Sequence, residues 1–371
     1  MRCMLFSLLA AYAAAASVQR TSANGVCTDF AISVEVTAEN YDLSALPGFL
    51  SNPAALLTST TLVSLLQNLV FSKIPVSGTE TVAGTYCEPS NKSNATRLDT
   101  LQLLVHGASY TRDYWRGMAA HYQPGNYSWI DYALAEGYPV LAIDRLGCGL
   151  SSHPDPLVTL QMPYQVRTTH AIIEKVRAGA TGVLPRAFSK IVYIGHSEGS
   201  LLANSLVAQF PNDVDAAVLT GYSSRSLLTA LPSMVLALLV PAAVFDPSRF
   251  GSFSPGYLVT GSYTGRRNAF YWPGSFDAQL YDFDWKSQGV IGAAEIITAL
   301  LTDTAAPSFT GSRPDCGSGP ESILDRTRSL FPATTNYGYY AVPETGHDVN
   351  GHYTARDAFV KAYEFLNSAG F

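Results

Sequence analysis

Ile191-Val192-Tyr193-Ile194-Gly195-His196-Ser197-Glu198-Gly199 is the stretch on which the reading of this chain turns. Its first four residues are apolar and three are β-branched, which predicts a short buried strand. Glycines at 195 and 199 flank a serine at a tight turn, and residues 201–210 then read as a helix stopped by Pro211. A serine hydroxyl is a weak nucleophile near neutral pH. It needs a base within hydrogen-bond reach and donors aimed at the developing oxyanion. A strand, turn and helix with serine at the apex lifts the hydroxyl clear of the sheet and turns the positive end of the helix toward it. Ser197 is therefore the candidate nucleophile. The competing reading, a plain turn serine, leaves the strand before it and the helix after it without a purpose.

Working outward, residues 101–105, 139–143 and 216–220 are further short apolar runs, and residues 128–136 and 164–176 have helical character. Strands that are apolar throughout and alternate with helices predict a mostly parallel central sheet with helices on both faces, an α/β architecture. Ahead of this rhythm, residues 31–36 and 76–86 read as strands, and 53–71 carries apolar residues at helical spacing. The rhythm breaks after Tyr222. The divisions expected are 1–16, 17–99, 100–221, a mostly helical cap over 222–308, and a second core part over 309–371.

His106-Gly107-Ala108-Ser109 ends an earlier strand, so the backbone amides of Ala108 and Glu198 are the candidate oxyanion donors. His106 reads as structural. The candidate base is His347, in Glu344-Thr345-Gly346-His347-Asp348, between a strand-like 339–342 and a final helix over 355–366. His352 is its rival; the other histidines fall in helices, loops or the turn. The cap holds Phe270-Tyr271-Trp272 and an apolar run over 230–245, expected to be helix lining a cavity or lid. An apolar or aromatic small-molecule substrate follows, with Tyr110 and Trp272 as candidate contacts.

The chain has 371 residues, is 47% hydrophobic and 14% charged, and carries a formal net charge of −6 with no basic run. It can bury a large core, and nucleic acid is not an expected partner. Arg2, the apolar run 4–13 and Ala14-Ala15-Ala16 have the order of a secretory signal peptide over 1–16, so secretion is expected. Neither that run nor 230–245 is long enough for a stable membrane span. Asn91, Asn94 and Asn126 head Asn-x-Ser/Thr acceptors for glycosylation. With Cys3 in the signal, Cys27, Cys87, Cys148 and Cys316 remain. Spacing does not fix their pairing; Cys27 with Cys87 is the expected disulfide, both lying N-terminal to the catalytic segments. No metal-ligand spacing and no phosphate loop is present, so no cofactor is expected.

Taken with Val105-His106-Gly107-Ala108-Ser109, Ile143-Asp144-Arg145-Leu146-Gly147, Ser151-Ser152-His153-Pro154 and Gly346-His347-Asp348, the turn resembles those of the α/β-hydrolase superfamily, in particular secreted fungal hydrolases of that fold. The resemblance covers most of residues 100–371. It implies a parallel sheet, a helical cap, and hydrolysis through Ser197 and His347. Members of that group often act on esters or lactones, some in secondary-metabolite clusters. It also implies a penultimate strand followed by a catalytic acid, but Phe309 to Pro320 contains no apolar strand. Either coding sequence near Gly311 is skipped, or the sheet lacks that strand. Asp315 is then the candidate acid by chain order, with Asp303 behind it. A dehalogenase or epoxide hydrolase would need a carboxylate at 197. The readings left are a serine hydrolase of esters or lactones, an acyltransferase using the same serine, a peptidase, and a hydrolase-like binding protein that has lost catalysis.

Overall fold

The computed structural model describes residues 19–46, 51–52, 72–118, 122–222, 233–301, 313–316 and 327–371, and for 313–316 the backbone alone. The signal segment 1–16, the helical pattern over 53–71, and Asp303 lie outside the described residues.

The central sheet has nine strands: β1 (Gln19–Ser22), β2 (Gly25–Tyr41), β3 (Lys73–Pro89), β4 (Thr100–Val105), β5 (Val140–Ile143), β6 (Lys190–His196), β7 (Ala216–Thr220), and β11 (Arg313–Cys316) with β12 (Tyr337–Tyr339). Their order across the sheet is β1-β2-β3-β5-β4-β6-β7-β11-β12. From β5 to β12 every pairing is parallel, while β1, β2 and β3 add on antiparallel. The paired β2 and β3 run side by side for 17 residues each. Cys27 and Cys87 face one another in this ladder and form the expected disulfide.

Alternation along the parallel strands sends side chains into two cores. Leu103, Val105, Ile191 and Tyr193 pack on one face with Ile172 of α2 (Met162–Arg177) and Leu202 of α3 (Glu198–Gln209). Leu104, Val192 and Ile194 pack on the other with Trp129 of α1 (Trp129–Ala135) and Phe359 of α7 (Ala355–Ser368). Ser128 caps α1 by accepting from the Asp131 amide, as its sequence position suggests. Gln102, buried on the second face, accepts from Trp129 Nε1 at 2.9 Å and donates to Tyr363 Oη at 2.8 Å. A buried amide in an apolar strand is thus satisfied by partners from both covering helices.

Three expectations are corrected. The penultimate strand is present: Arg313–Cys316 pairs in parallel with β7 on one side and β12 on the other. Its residues have no strand propensity, and Pro314 brings no N–H, so the two flanking strands place it rather than its own composition. The strand expected over 339–342 closes earlier, at Tyr337–Tyr339. The described part of the cap has the expected helices beside a small sheet, and it is the apolar run that departs from the helix expected of it. This part of the cap contains a three-stranded antiparallel sheet of β8 (Leu239–Pro241), β9 (Tyr257–Thr260) and β10 (Ile291–Gly292), with α4 (Tyr263–Phe270), α5 (Ala278–Ser287) and α6 (Ala293–Leu300). The apolar run ending at Phe245 is accordingly broken by β8, where Pro241 interrupts helical hydrogen bonding.

Candidate active site

β6 delivers Ser197 to the carboxyl edge of the sheet. Ser197 has φ 53° and ψ −115°, a conformation that L side chains rarely adopt, directly before α3 begins at Glu198. Its amide donates to the Thr220 carbonyl of β7 at 2.9 Å, which pins the strained residue to the neighbouring strand. Two glycines make the turn sterically feasible. A Cβ at 195 would come within 2.7 Å of the Gly199 carbonyl oxygen, and one at 199 within 2.2 Å of the Val105 oxygen. A third, Gly107, lets the loop after β4 close over the turn, since a Cβ there would lie 2.8 Å from Ser197 Cβ. The loop at Gly107 is thereby brought against Ser197, directly before the first turn of α3.

His347 Nε2 lies 2.7 Å from Ser197 Oγ. Burial, and secondarily the Arg266 guanidinium, lower the pKa of this imidazole to about 4. It is therefore neutral at ordinary pH and able to accept the serine proton. Among the residues whose side chains are described, no carboxylate bonds its Nδ1. Asp315 has its backbone inside β11, opposite Leu219 of β7, which itself stands opposite Gly195. The candidate acid thus shares a cross-strand row with the residue two before the serine. It lies within the strand rather than in a loop after it.

The rival His352 is buried, with both ring nitrogens on backbone groups rather than on Ser197. Nδ1 donates to the Asp348 carbonyl at 2.5 Å, and Nε2 accepts from the Trp272 amide at 2.8 Å and the Gly346 amide at 3.0 Å. It grips the chain on either side of His347. Burial lowers its pKa to about 4, which keeps it neutral and preserves Nε2 as an acceptor.

His106 is also fully buried. Its Nδ1 donates to the Gly107 carbonyl at 2.8 Å and its Nε2 accepts from the Arg145 amide at 3.0 Å. Tyr110 is buried between Tyr114 and the His196 ring and donates to Asp348 Oδ2 at 3.1 Å. Trp272 is 51% exposed. Asn91, Asn94 and Asn126 are all exposed.

Sequence reasoning missed two buried ion-pair clusters around these residues. Arg145 donates from Nη2 to Glu198 Oε2 at 2.9 Å and from Nη1 to Glu295, while its Nε reaches the His106 carbonyl at 3.0 Å. Burial raises Glu198 to about 8, with Arg145 opposing the shift and Glu295 adding to it. Arg266 of α4 pairs with Asp284 of α5, and Tyr271 Oη joins Asp284 to Asp348. Glu295 and Asp284 stand in apolar or aromatic stretches, but a charge so placed names neither its partner nor its depth, and Arg145 and Arg266 have polar neighbours in sequence. Among the described residues no group of three or more His, Cys, Asp or Glu could hold a metal ion, and no helix is long and apolar enough to cross a membrane.

A family model described as the alpha/beta hydrolase fold matches residues 103–345. A search of curated proteins gives no match. Among solved structures the chain is similar to a soluble variant of monoglyceride lipase from Saccharomyces cerevisiae, in complex with a substrate analog. The identity is 14%, with a TM-score of 0.52 over 78% of this chain and 92% of that one. It is also similar to a thermophilic esterase from Thermogutta terrifontis, at 15% identity and a TM-score of 0.50 over 79% and 96%. At those identities the likeness speaks for the fold alone. With the family model spanning well over half of its length, the chain belongs to the alpha/beta hydrolase fold family.

Proposed function

We propose that this chain is a secreted serine hydrolase that cleaves carboxylic ester or lactone bonds of an apolar small molecule. The observation that carries the reading is the contact of His347 Nε2 with Ser197 Oγ at 2.7 Å on a strained strand-to-helix turn. In the acylation step Ser197 Oγ attacks the carbonyl carbon as His347 takes its proton. The oxyanion forms against the amides of Ala108 and Glu198, at the positive end of α3. The imidazolium returns the proton to the leaving alkoxide, which departs as an alcohol or, from a lactone, stays tethered as a hydroxyl. Water, deprotonated by His347, then hydrolyses the acyl-enzyme. Asp315 is the proposed acid that orients His347 and stabilises its charged form. Tyr110 and Trp272 are the proposed substrate contacts, and a fungal secondary-metabolite ester or lactone is the setting the sequence resemblance suggests.

The proposal of secretion rests on the signal-like residues 1–16, on exposed acceptor asparagines at 91, 94 and 126, and on the Cys27–Cys87 disulfide, a bond favoured in oxidising compartments. Acyl transfer to an alcohol would use the same serine and base.

The test is covalent labelling of the secreted chain with a fluorophosphonate, followed by intact mass. A single adduct that Ser197→Ala abolishes is the expected result. A folded chain that takes up no label would sink the enzymatic reading and leave that of a binding protein. An added alcohol that diverts product from acid to ester would assign acyl transfer instead.

A further inference from the structure

The Arg266 cluster lies outside the Ser197–His347 pair, yet it touches the loops on both sides of it. Arg266 is fully buried. Its Nε and Nη2 meet the Asp284 carboxylate at 2.9 and 2.6 Å, a fork-to-fork pair that fixes the plane of the guanidinium. Nη1 is left free to point elsewhere, and it donates to Ser109 Oγ at 2.7 Å and Thr260 Oγ1 at 3.2 Å. The rings of Tyr110 and Phe270 flank the same guanidinium at 4.9 and 5.0 Å.

Ser109 is not an ordinary recipient. Its φ is 61°, in the left-handed region that a non-glycine residue occupies only when its surroundings hold it there. The Gly289 amide holds its carbonyl at 2.9 Å, and Arg266 holds its hydroxyl. Ser109 directly follows Ala108, so anchoring its hydroxyl and carbonyl fixes the C-terminal end of Ala108, one residue from the Gly107–Ala108 peptide that carries the Ala108 amide. On the other side of the site, Tyr271 Oη bridges Asp284 to Asp348, the neighbour of His347, and the Asp348 amide donates to the Phe270 carbonyl at 2.9 Å.

We infer that Arg266 is a positioning residue for acyl transfer, aiming the Ala108 amide at the oxyanion through its bond to the Ser109 hydroxyl. The inference rests on the catalytic reading proposed above. An oxyanion donor acts only when it points at the place the charge will occupy. A guanidinium from α4 therefore controls the rate of chemistry without touching the reacting atoms, and it makes the oxyanion loop dependent on the packing of the cap.

The experiment compares the wild-type chain, Ser109→Ala, the charge-neutral pair Arg266→Met/Asp284→Asn, and the triple variant. Each is labelled with a fluorophosphonate and assayed for kcat and KM on p-nitrophenyl butyrate. Ser109→Ala keeps the Cβ and the ion pair and removes only the link. It should lower kcat about ten-fold with KM held within about two-fold, a smaller loss than removal of an oxyanion donor outright. The paired variant should lose at least as much, and the triple variant no more than the pair, because hydroxyl and guanidinium act as one unit. Wild-type kcat in Ser109→Ala overturns the inference, as do losses that multiply in the triple variant. Should the paired variant fail to fold, Ser109→Ala decides alone. No adduct on Ser197 in the wild-type chain overturns the catalytic reading and this inference together, whereas an adduct with an unaffected Ser109→Ala overturns only the inference.

Discussion

Two buried arginines hold the loop of residues 106–109 from opposite sides, and they differ in how their charge is met. Arg145 comes from the end of β5 beneath the site and grips the loop by its main chain, at the carbonyls of His106 and Gly107. It faces two carboxylates, Glu198 on α3 and Glu295 on α6. Arg266 comes from the cap and grips the loop by a side chain, the Ser109 hydroxyl. It faces one carboxylate, Asp284, in a two-point pair. Burial pushes Glu198 up to about 8, with Arg145 opposing the shift and the second carboxylate, Glu295, adding to it. The cap side has its own second carboxylate, Asp348, joined to Asp284 through Tyr271 and raised to about 7 by burial and then by the Asp284 charge. Both clusters therefore titrate; Arg145, between two carboxylates, is the arginine on which folding leans, and Arg266, through Ser109, the one that sets aim.

The largest expected effect breaks the core-side cluster. Arg145→Met strands Glu198 and Glu295 against each other in a dry site. The loss should be about 3–5 kcal/mol of unfolding free energy, the usual result of removing one partner of a buried charge set. Urea denaturation measures it, and a loss under about 1 kcal/mol would show that the cluster carries no such stake. The next effect concerns protons. Glu198 has a folded pKa raised above its unfolded value of about 4.5, so the folded state binds the extra proton between the two. Stability should fall as pH rises from about 5 to about 8, by up to about 1.4 kcal/mol per pH unit for one group. Glu198→Gln should flatten the part of that slope nearest pH 8, whereas Asp284→Asn should lessen only the part below about pH 7, where Asp348, raised by burial and then by Asp284, adds to it.

The same contrast explains what the sequence could and could not disclose. β4, β5, β6 and β7 are legible because strands buried on both faces are apolar throughout, and Ser197 is legible because its glycines, strand and helix are contiguous. His347 could be narrowed to two candidates five positions apart. Only the structure shows His352 spending both ring nitrogens on backbone groups. β11 was illegible because Arg-Pro-Asp-Cys has no strand preference of its own and is placed by pairing with β7 and β12. The ion pairs were illegible for a related reason. Arg145 and Glu295 are 150 residues apart, and no local pattern selects one buried charge as the partner of another.

The smallest effect is also the sharpest, since it reads His347 itself. With a pKa near 4, the imidazole stays neutral down to that pH, and kcat/KM should fall only as pH drops through about 4. An acid limb near 6.5 or above would instead reveal a carboxylate on Nδ1, and its loss in Asp315→Asn would identify that carboxylate as Asp315. The cap-side cluster enters the same profile, because the Arg266 guanidinium weighs on the imidazole after burial does. Arg266→Met/Asp284→Asn should therefore move the limb upward, whereas Arg145→Met, acting from beneath the loop, should leave it where it is. A limb that moves equally in both would mean that the two arginines are not divided between folding and aim.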